Sequence, residues 1–168
     1  MSNKIQGGAL VSLSAAGAAI VAVLALIVWM SVWKGKSEAA EVIVYKTPTC
    51  GCCIKWVAHL RKSGFDVSVV NVPDTEPARK RFGVPRRLGS CHTATVGDYW
   101  VEGHVPADLV QRLLAEKPDD IRGIAVPGMP MGSPGMEGPN PVAYQVIAYG
   151  NDGKTTIYAT RQGQETPD

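Results

Sequence analysis

The chain begins with one long apolar stretch and continues with short apolar runs separated by glycine and proline. From Gln6 to Trp33 no residue is charged, and most positions are Ala, Val, Leu or Ile. A helix needs roughly 20 apolar residues to cross a bilayer, whereas the core of a signal peptide has about 7–15. Residues 9–33 are therefore predicted to be a transmembrane anchor after an N-terminal tail at 1–8. The alternative is a long signal peptide cut near 37–40.

Beyond a short polar linker at 34–41, the pattern alternates between the periods of strands and helices. The run EVIVYK is β-branched and typical of a buried strand, and the helical spacing that follows it ends at Gly64. The predicted elements are a strand at 41–46, a helix at about 52–64, a strand at 66–72, a helix at 75–83, two short strands around Gly97-Asp98 and a helix at 106–117.

This βαβα–ββα order is that of the thioredoxin and glutaredoxin architecture, so the predicted fold class is α/β with a thioredoxin-like domain at 42–160. Alternation at 142–149 and 155–160 predicts an extra C-terminal β-hairpin, followed by a polar tail at 161–168. Residues 123–141 are rich in Gly and Pro, break every periodicity and are predicted to be a loop.

Composition narrows the function classes. The formal net charge is +2, and acidic and basic residues are mixed along the chain. Nucleic-acid binding requires a concentrated basic surface, so this sequence predicts no nucleic-acid partner. The informative residues are instead the four cysteines and a loop that contains three of the five methionines.

Three cysteines, Cys50, Cys52 and Cys53, lie where the first predicted helix begins. Unpaired backbone N–H groups and the helix dipole favour thiolates there. Cys50 and Cys53 have the C-x-x-C spacing of thiol–disulfide enzymes. Cys52 breaks that pattern, because a third thiol in the same turn promotes wrong disulfides, whereas a soft-metal site profits from three converging thiolates.

The fourth cysteine, Cys91, precedes His92 and Thr93 in the segment before the third predicted strand. In a thioredoxin-like order that segment faces the C-x-x-C turn, so all four cysteines are expected to meet. Thioether sulfur together with thiolate selects Cu(I) over harder ions. The Gly/Pro loop is therefore expected to lie over the cysteines and to offer further sulfur from Met129, Met131 and Met136.

Other interpretations remain open for these residues. The cysteines are also compatible with inert core thiols, a structural disulfide or a Zn(II) site, although paired C-x-x-C knuckles are absent. The methionines are compatible with simply pinning the loop. His92 fits a metal ligand or a strand-end cap. His104 is expected to be a loop or helix-entry residue, His59 a surface or dipole-stabilising residue, and Trp56 a core residue.

Four segments together resemble the CopG-type copper-resistance proteins: YKTPTCGCCIKWVAHLRKSGF, LGSCHTA, EGHVPADLV and RGIAVPGMPMGSPGME. The resemblance covers roughly 42–160. It implies a thioredoxin-like domain in the periplasm that binds copper through a defined set of residues: Cys50, Cys52, Cys53 and Cys91, with Met129, Met131 or Met136 nearby.

The first functional hypothesis is a Cu(I)-binding protein of copper or silver resistance that holds one or several ions. It is expected on the periplasmic face of the inner membrane, anchored by the N-terminal helix, or soluble in the periplasm after signal cleavage. Its expected partners are copper ions and copper-resistance or copper-export proteins. The alternative is a thiol–disulfide or copper-coupled oxidoreductase using Cys50 and Cys53; a third hypothesis is copper delivery to a membrane protein.

Overall fold

The computed structural model describes residues 22–26, 29 and 40–163. The chain divides into two units, Met1–Glu38 and Ala39–Asp168. In the first unit the described residues are helical and exposed. No helix among the described residues is long and apolar enough to cross a membrane. The predicted N-terminal tail, most of the predicted anchor and linker, and residues 164–168 of the predicted polar tail lie outside the described residues.

Residues 40–163 form a mixed α/β structure on a seven-stranded sheet. The strands are β1 (Glu41–Lys46), β2 (Asp66–Asn71), β3 (His92–Val96), β4 (Tyr99–Glu102), β5 (Ile121–Ala125), β6 (Ala143–Gly150) and β7 (Thr155–Gln162). The helices are α1 (Gly51–Lys62), α2 (Glu76–Phe82) and α3 (Ala107–Glu116), with a 3₁₀ turn at Arg86–Leu88.

The strand order is β2-β1-β3-β4-β5-β6-β7. β1 runs parallel to β2 and antiparallel to β3, and β3 and β4 form a hairpin. β4 and β5 are parallel, and β5, β6 and β7 are antiparallel to one another in turn. The predicted α/β class, the parallel first pair, the hairpin at Gly97-Asp98 and the C-terminal hairpin at the sheet edge are thus confirmed.

The prediction of a loop over 123–141 is wrong at its start, because Ile121–Ala125 form β5 between β4 and β6. Gly123 obscures the strand pattern in the sequence. The indole of Trp100 lies across Gly123 and leaves no room for a Cβ atom. The glycine is therefore required by this close packing rather than by a loop.

The main core lies between one face of the sheet and the helices α1 and α3. Its side chains include Val42, Val44, Trp56, Leu60, Leu113 and Ile124. Successive strand residues point to opposite faces, and a smaller cluster of Val84, Leu88, Trp100 and Ala125 covers the other face. The helical spacing in the sequence predicts an apolar stripe of Ile54, Val57, Ala58 and Leu60 on α1. Val57, Leu60 and the predicted core residue Trp56 are buried, but Ile54 and Ala58 are exposed.

Three strand ends meet at one end of this sheet. Lys46, the last residue of β1, pairs with His92, the first residue of β3. Thr93 in turn pairs with Glu102, the last residue of β4. The turn that follows β1 and the segments that flank β3 and β4 are therefore brought together, and these segments carry the cysteines and two of the three histidines.

Candidate metal centre

The turn between β1 and α1 fixes the first three cysteines by local contacts. The Cys50 N–H donates to Thr47 O at 3.2 Å, which closes the turn, and the Ile54 N–H donates to Cys50 O at 3.2 Å, which starts the helix. Cys50 is the N-cap of α1, and its Sγ accepts the Cys53 N–H at 3.3 Å. A cysteine thus takes the place of the usual Ser or Asp cap.

The sulfur atoms of Cys50, Cys52, Cys53 and Cys91 all lie within 4.8 Å of one another. Cys50 and Cys53 are joined by a disulfide. Cys91 Sγ lies 3.4 Å from Cys53 Sγ and 3.9 Å from Cys52 Sγ. Thiolates bound to one metal at about 2.3 Å are separated by about 3.8 Å in a tetrahedron. Once the disulfide is reduced, this donor set therefore fits a thiophilic metal with little movement.

His104, between β4 and α3, points its Nε2 at the same cluster. Nε2 lies 2.9 Å from Cys91 Sγ, and Nδ1 lies 2.7 Å from Pro134 O. A carbonyl oxygen can only accept, so Nδ1 carries the proton and Nε2 presents its lone pair to the sulfur. Ligating histidines are commonly oriented in this way by a second hydrogen bond. His104 is therefore a candidate ligand, contrary to the sequence-based expectation.

His92 completes a second group of donor atoms with Cys91 and His104. Its Nδ1 lies 3.4 Å from Cys91 Sγ, and its ring packs on the Trp56 indole with 4.3 Å between ring centroids. His92 is fully buried, and its Nε2 has no hydrogen-bond partner among the described residues. Each ring therefore has a nitrogen close to Cys91 Sγ.

Burial keeps Cys91, His92 and His104 uncharged without a metal. Burial, with a further contribution from Cys52, raises the pKa of the Cys91 thiol to about 12. Burial and the neighbouring His104 lower the pKa of His92 to about 3, and burial also lowers the pKa of His104. At neutral pH the site therefore holds a Cys91 thiol and two neutral imidazoles, and an incoming metal ion displaces the thiol proton.

A buried carboxylate holds the Cys91 segment from both sides. Glu102 is fully buried, and its two oxygens accept hydrogen bonds at 2.7 Å from the Ser90 N–H and from Thr93 Oγ1. These donors flank the Cys91–His92 dipeptide. Burial is the largest influence on Glu102 and raises the pKa of its carboxyl group, against the effect of those hydrogen bonds.

Arg79 of α2 completes this network. Its Nη1 lies 3.5 Å from a Glu102 oxygen and donates to Ser90 O at 3.0 Å and Thr75 Oγ1 at 2.8 Å. Cys91 is thereby tied to a helix on the opposite side of the sheet from α1. Neither Glu102 nor Arg79 stands out as a site residue in the sequence.

The Gly/Pro loop reaches the cysteine helix through its backbone. Gly135 has φ +87°, and a Cβ atom there would lie 2.6 Å from Cys52 O and 3.0 Å from Trp56 N. Only glycine allows this approach. Because Pro134 O also receives the His104 hydrogen bond, the loop segment beside Gly135 covers the start of α1.

The three predicted methionine ligands occupy different environments on this loop. Met129 and Met131 are 53% and 39% exposed, and Met136 is half-buried. Met131 Sδ lies against Gly138 of the same loop. Their assignment as ligands remains a prediction.

The sequence contains a signal for His104 that depends on strand register. The β3–β4 hairpin pairs Thr93 with Glu102, and two further residues outward along each strand bring Cys91 opposite His104. His59 also differs from the expectation: its Nε2 accepts the Ala107 N–H at 3.0 Å and thereby caps α3. Burial lowers the pKa of His59, which keeps this acceptor nitrogen unprotonated.

Comparison with known proteins relates this arrangement to copper resistance. A family model described as "Protein of unknown function, DUF411" matches residues 88–136. Two solved structures titled copper resistance protein copG, form 2 and form 1, are each 41% identical to this chain, with a TM-score of 0.70. They cover 74% and 75% of this chain, and the alignments span 99% and 100% of their own chains.

The chain belongs to the CopG-type copper-resistance family. The resemblance seen in the sequence motifs is thereby confirmed. No curated protein matches the sequence. Membership of the CopG family, together with the cysteine cluster, indicates a metal-binding, copper-related function.

Proposed function

We propose that this protein binds Cu(I) in the periplasm as part of copper or silver resistance. The observation that carries the proposal is the convergence of four cysteine sulfurs within 4.8 Å. Clustered thiolates favour soft, thiophilic ions, and His104 Nε2 adds a donor that copper accepts. The thioethers of the loop methionines favour Cu(I) over Zn(II). Several Cu(I) ions bridged by shared thiolates are compatible with this density of sulfur.

Copper binding by all four cysteines requires the disulfide between Cys50 and Cys53 to be reduced first. The proposal is tested by titrating the reduced protein with Cu(I) under argon against a competing chelator. We expect tight binding that is lost in the Cys50→Ser/Cys53→Ser double variant. Equal affinity in the wild-type protein and in this variant would refute the proposal.

The identity of the ion is tested on the methionine loop. Zn(II) would use the cysteines and ignore thioethers. Replacing Met129 and Met131 by Leu keeps the volume of the side chains and removes their sulfur, so we expect weaker Cu(I) binding and unchanged Zn(II) binding. Wild-type Cu(I) affinity in this double variant would show that Met129 and Met131 do not bind the ion.

A second function, thiol–disulfide exchange or copper-coupled oxidoreduction, is favoured by one observation. The Cys50–Cys53 disulfide lies at a helix N-terminus, and Cys91 Sγ is 3.4 Å from Cys53 Sγ. The metal-free protein would then oxidise a dithiol substrate with its Cys50–Cys53 disulfide, or reduce a disulfide substrate with the reduced cysteine pair. This turnover should vanish in Cys50→Ser and persist in Cys52→Ser; absence of turnover in the metal-free wild-type protein excludes simple thiol–disulfide exchange.

We further assign the domain at 42–160 to the thioredoxin-like folds, supported by the parallel β1–α1–β2 unit followed by the antiparallel β3–β4 hairpin and α3. We also assign residues 9–33 to an anchor in the inner membrane. In untreated spheroplasts the domain should then be found in the membrane fraction, and protease added from outside should digest it. Recovery of the domain in the soluble periplasmic fraction would favour the cleaved signal peptide instead.

A further inference from the structure

Lys46 is a buried cation with no acidic partner. Lys46 is 4% exposed, and its Nζ donates to Thr47 O at 2.8 Å and to Asn71 Oδ1 at 3.4 Å. Both acceptors are neutral. Within residues 40–163, none of the ion pairs includes Lys46. Lysine is almost never fully buried unless it is paired, because an uncompensated buried charge is costly.

The position of Lys46 indicates where its counter-charge lies. The carbonyl oxygen of Thr47 that accepts from Nζ also accepts the Cys50 N–H. On the neighbouring strand Lys46 pairs with His92. The ammonium group is thus one carbonyl group away from the cysteine turn and lies beside the strand that follows Cys91.

The other charged groups near the centre do not supply the missing negative charge. His92 and His104, which both lie against Cys91 Sγ, carry no negative charge whether or not their imidazole rings are protonated. The Glu102 carboxylate is directed to Ser90, Thr93 and Arg79. Negative charge would arise at this end of the sheet when the cysteines become thiolates, as they must when they bind a metal ion.

We propose that Lys46 supplies the buried positive charge that balances the thiolates of the cysteine cluster. The inference rests on the proposed copper function and specifies how that site tolerates its charge. Four thiolates carry four negative charges, and each Cu(I) ion neutralises one. A cluster that holds more thiolates than Cu(I) ions is therefore anionic. Because thiolates form when metal binds, Lys46 stabilises the cluster most after the first Cu(I) ion has bound, and less as further ions neutralise the remaining thiolates.

Three variants separate charge from hydrogen bonding. Lys46→Arg keeps the charge and the donor, Lys46→Gln keeps a donor without the charge, and Lys46→Met removes both at similar volume. If Lys46 acts only through its hydrogen bond to Thr47 O, Lys46→Gln should bind Cu(I) as tightly as the wild-type protein. If the charge is decisive, Lys46→Gln and Lys46→Met should lose the same Cu(I) affinity. Circular dichroism and thermal unfolding identify any variant that fails to fold, and the Gln variant alone still tests the inference if Met or Arg does not fold.

The first measurement is Cu(I) affinity by chelator competition on the reduced protein. We expect Lys46→Gln and Lys46→Met to weaken binding of the first Cu(I) ion by about tenfold, or about 1.4 kcal/mol, because both variants remove the positive charge beside the cysteine turn. The loss should shrink as further ions bind. Wild-type affinity in Lys46→Gln, or an equal loss for every ion, would overturn the inference.

The second measurement needs no copper. The metal-free protein is equilibrated with glutathione, so that the Cys50–Cys53 disulfide and two glutathione thiols exchange with two cysteine thiols and one glutathione disulfide. At pH 9, removing the charge of Lys46 should lower the equilibrium constant for forming the reduced protein by about threefold to tenfold. The effect should increase with the fraction of its cysteines that are thiolates. If the wild-type protein binds no copper, the proposed function fails, and the glutathione equilibrium alone then tests the role of Lys46. An equilibrium constant in Lys46→Gln equal to that of the wild-type protein would show that Lys46 does not balance the thiolate charge.

Discussion

The cysteine turn at 47–53 and the Cys91 segment bring sulfur to the same cluster, but the contacts that hold them differ in range. The turn is closed by hydrogen bonds between residues three or four apart, including the Cys53 N–H to Cys50 Sγ. Cys91 is instead held by Glu102 and Arg79, which lie 11 and 12 positions away. One side of the centre is therefore set by local sequence, and the other depends on a buried polar network.

The largest expected effect comes from removing the centre of that network. Glu102→Ala would remove the shared acceptor of the Ser90 N–H, the buried Thr93 hydroxyl and the half-buried Arg79, and should cost about 3–5 kcal/mol in the free energy of unfolding. Urea denaturation measures this loss. As a matched control, Glu76→Ala removes the partly exposed partner of the same arginine and should cost about 1 kcal/mol or less. Equal losses in the two variants would show that Glu102 has no special role.

Acid should lower the stability of the protein through His92, which lies beside Cys91. His92 has a folded-state pKa of about 3, below its ordinary value of 6.5. Between these values the unfolded chain binds more protons, so stability is complete above pH 6.5 and falls by about 1.4 kcal/mol for each unit below it. The loss at pH 4 should be about 3 kcal/mol, with Glu102 opposing part of it because its pKa is raised.

The variant His92→Phe isolates this contribution, because it removes the titrating group and keeps a ring against Trp56. Urea denaturation of the metal-free protein from pH 7 to pH 4 should give a flatter curve for the variant. Parallel curves for the two proteins would show that another group causes the acid sensitivity.

A smaller effect is expected from the histidine that no local motif predicts. His104→Ala should weaken Cu(I) binding by about 10- to 100-fold, because the alanine removes a donor whose orientation is already fixed by Pro134 O. Chelator competition provides the measurement. His59→Gln is the control, since His59 caps α3 and lies outside the donor groups. An effect of similar size in both variants would indicate a general loss of structure.

The smallest expected difference between matched variants concerns the contact of Gly135 with the cysteine turn. Gly135→Ala places a Cβ atom on a residue with positive φ and brings it close to Cys52 O. Gly128 also has positive φ, but a Cβ atom there has no neighbour within 4 Å. Gly128→Ala should cost about 1 kcal/mol and Gly135→Ala about 1–2 kcal/mol more. Thermal unfolding measures both, and equal costs would mean that the loop yields without strain.

The same contrast explains how much the sequence could predict. The C-G-C-C turn, the parallel first strand pair and the terminal hairpin follow from local periodicity and turn residues, and the structure has them. β5 was hidden because Gly123 interrupts its pattern beneath Trp100. Glu102 was hidden because a buried carboxylate at a strand end is indistinguishable in sequence from an exposed one.

The cap formed by Cys50 gives the site a reporter that belongs to the backbone. Because Cys50 Sγ accepts the Cys53 N–H, any change at that sulfur, whether reduction, alkylation or coordination, alters the electron density around a single amide proton. The resonance of the Cys53 amide in a nitrogen-15 spectrum should therefore follow the chemical state of the sulfur directly. It would do so for silver as well as copper, neither of which provides a convenient colour in the monovalent state.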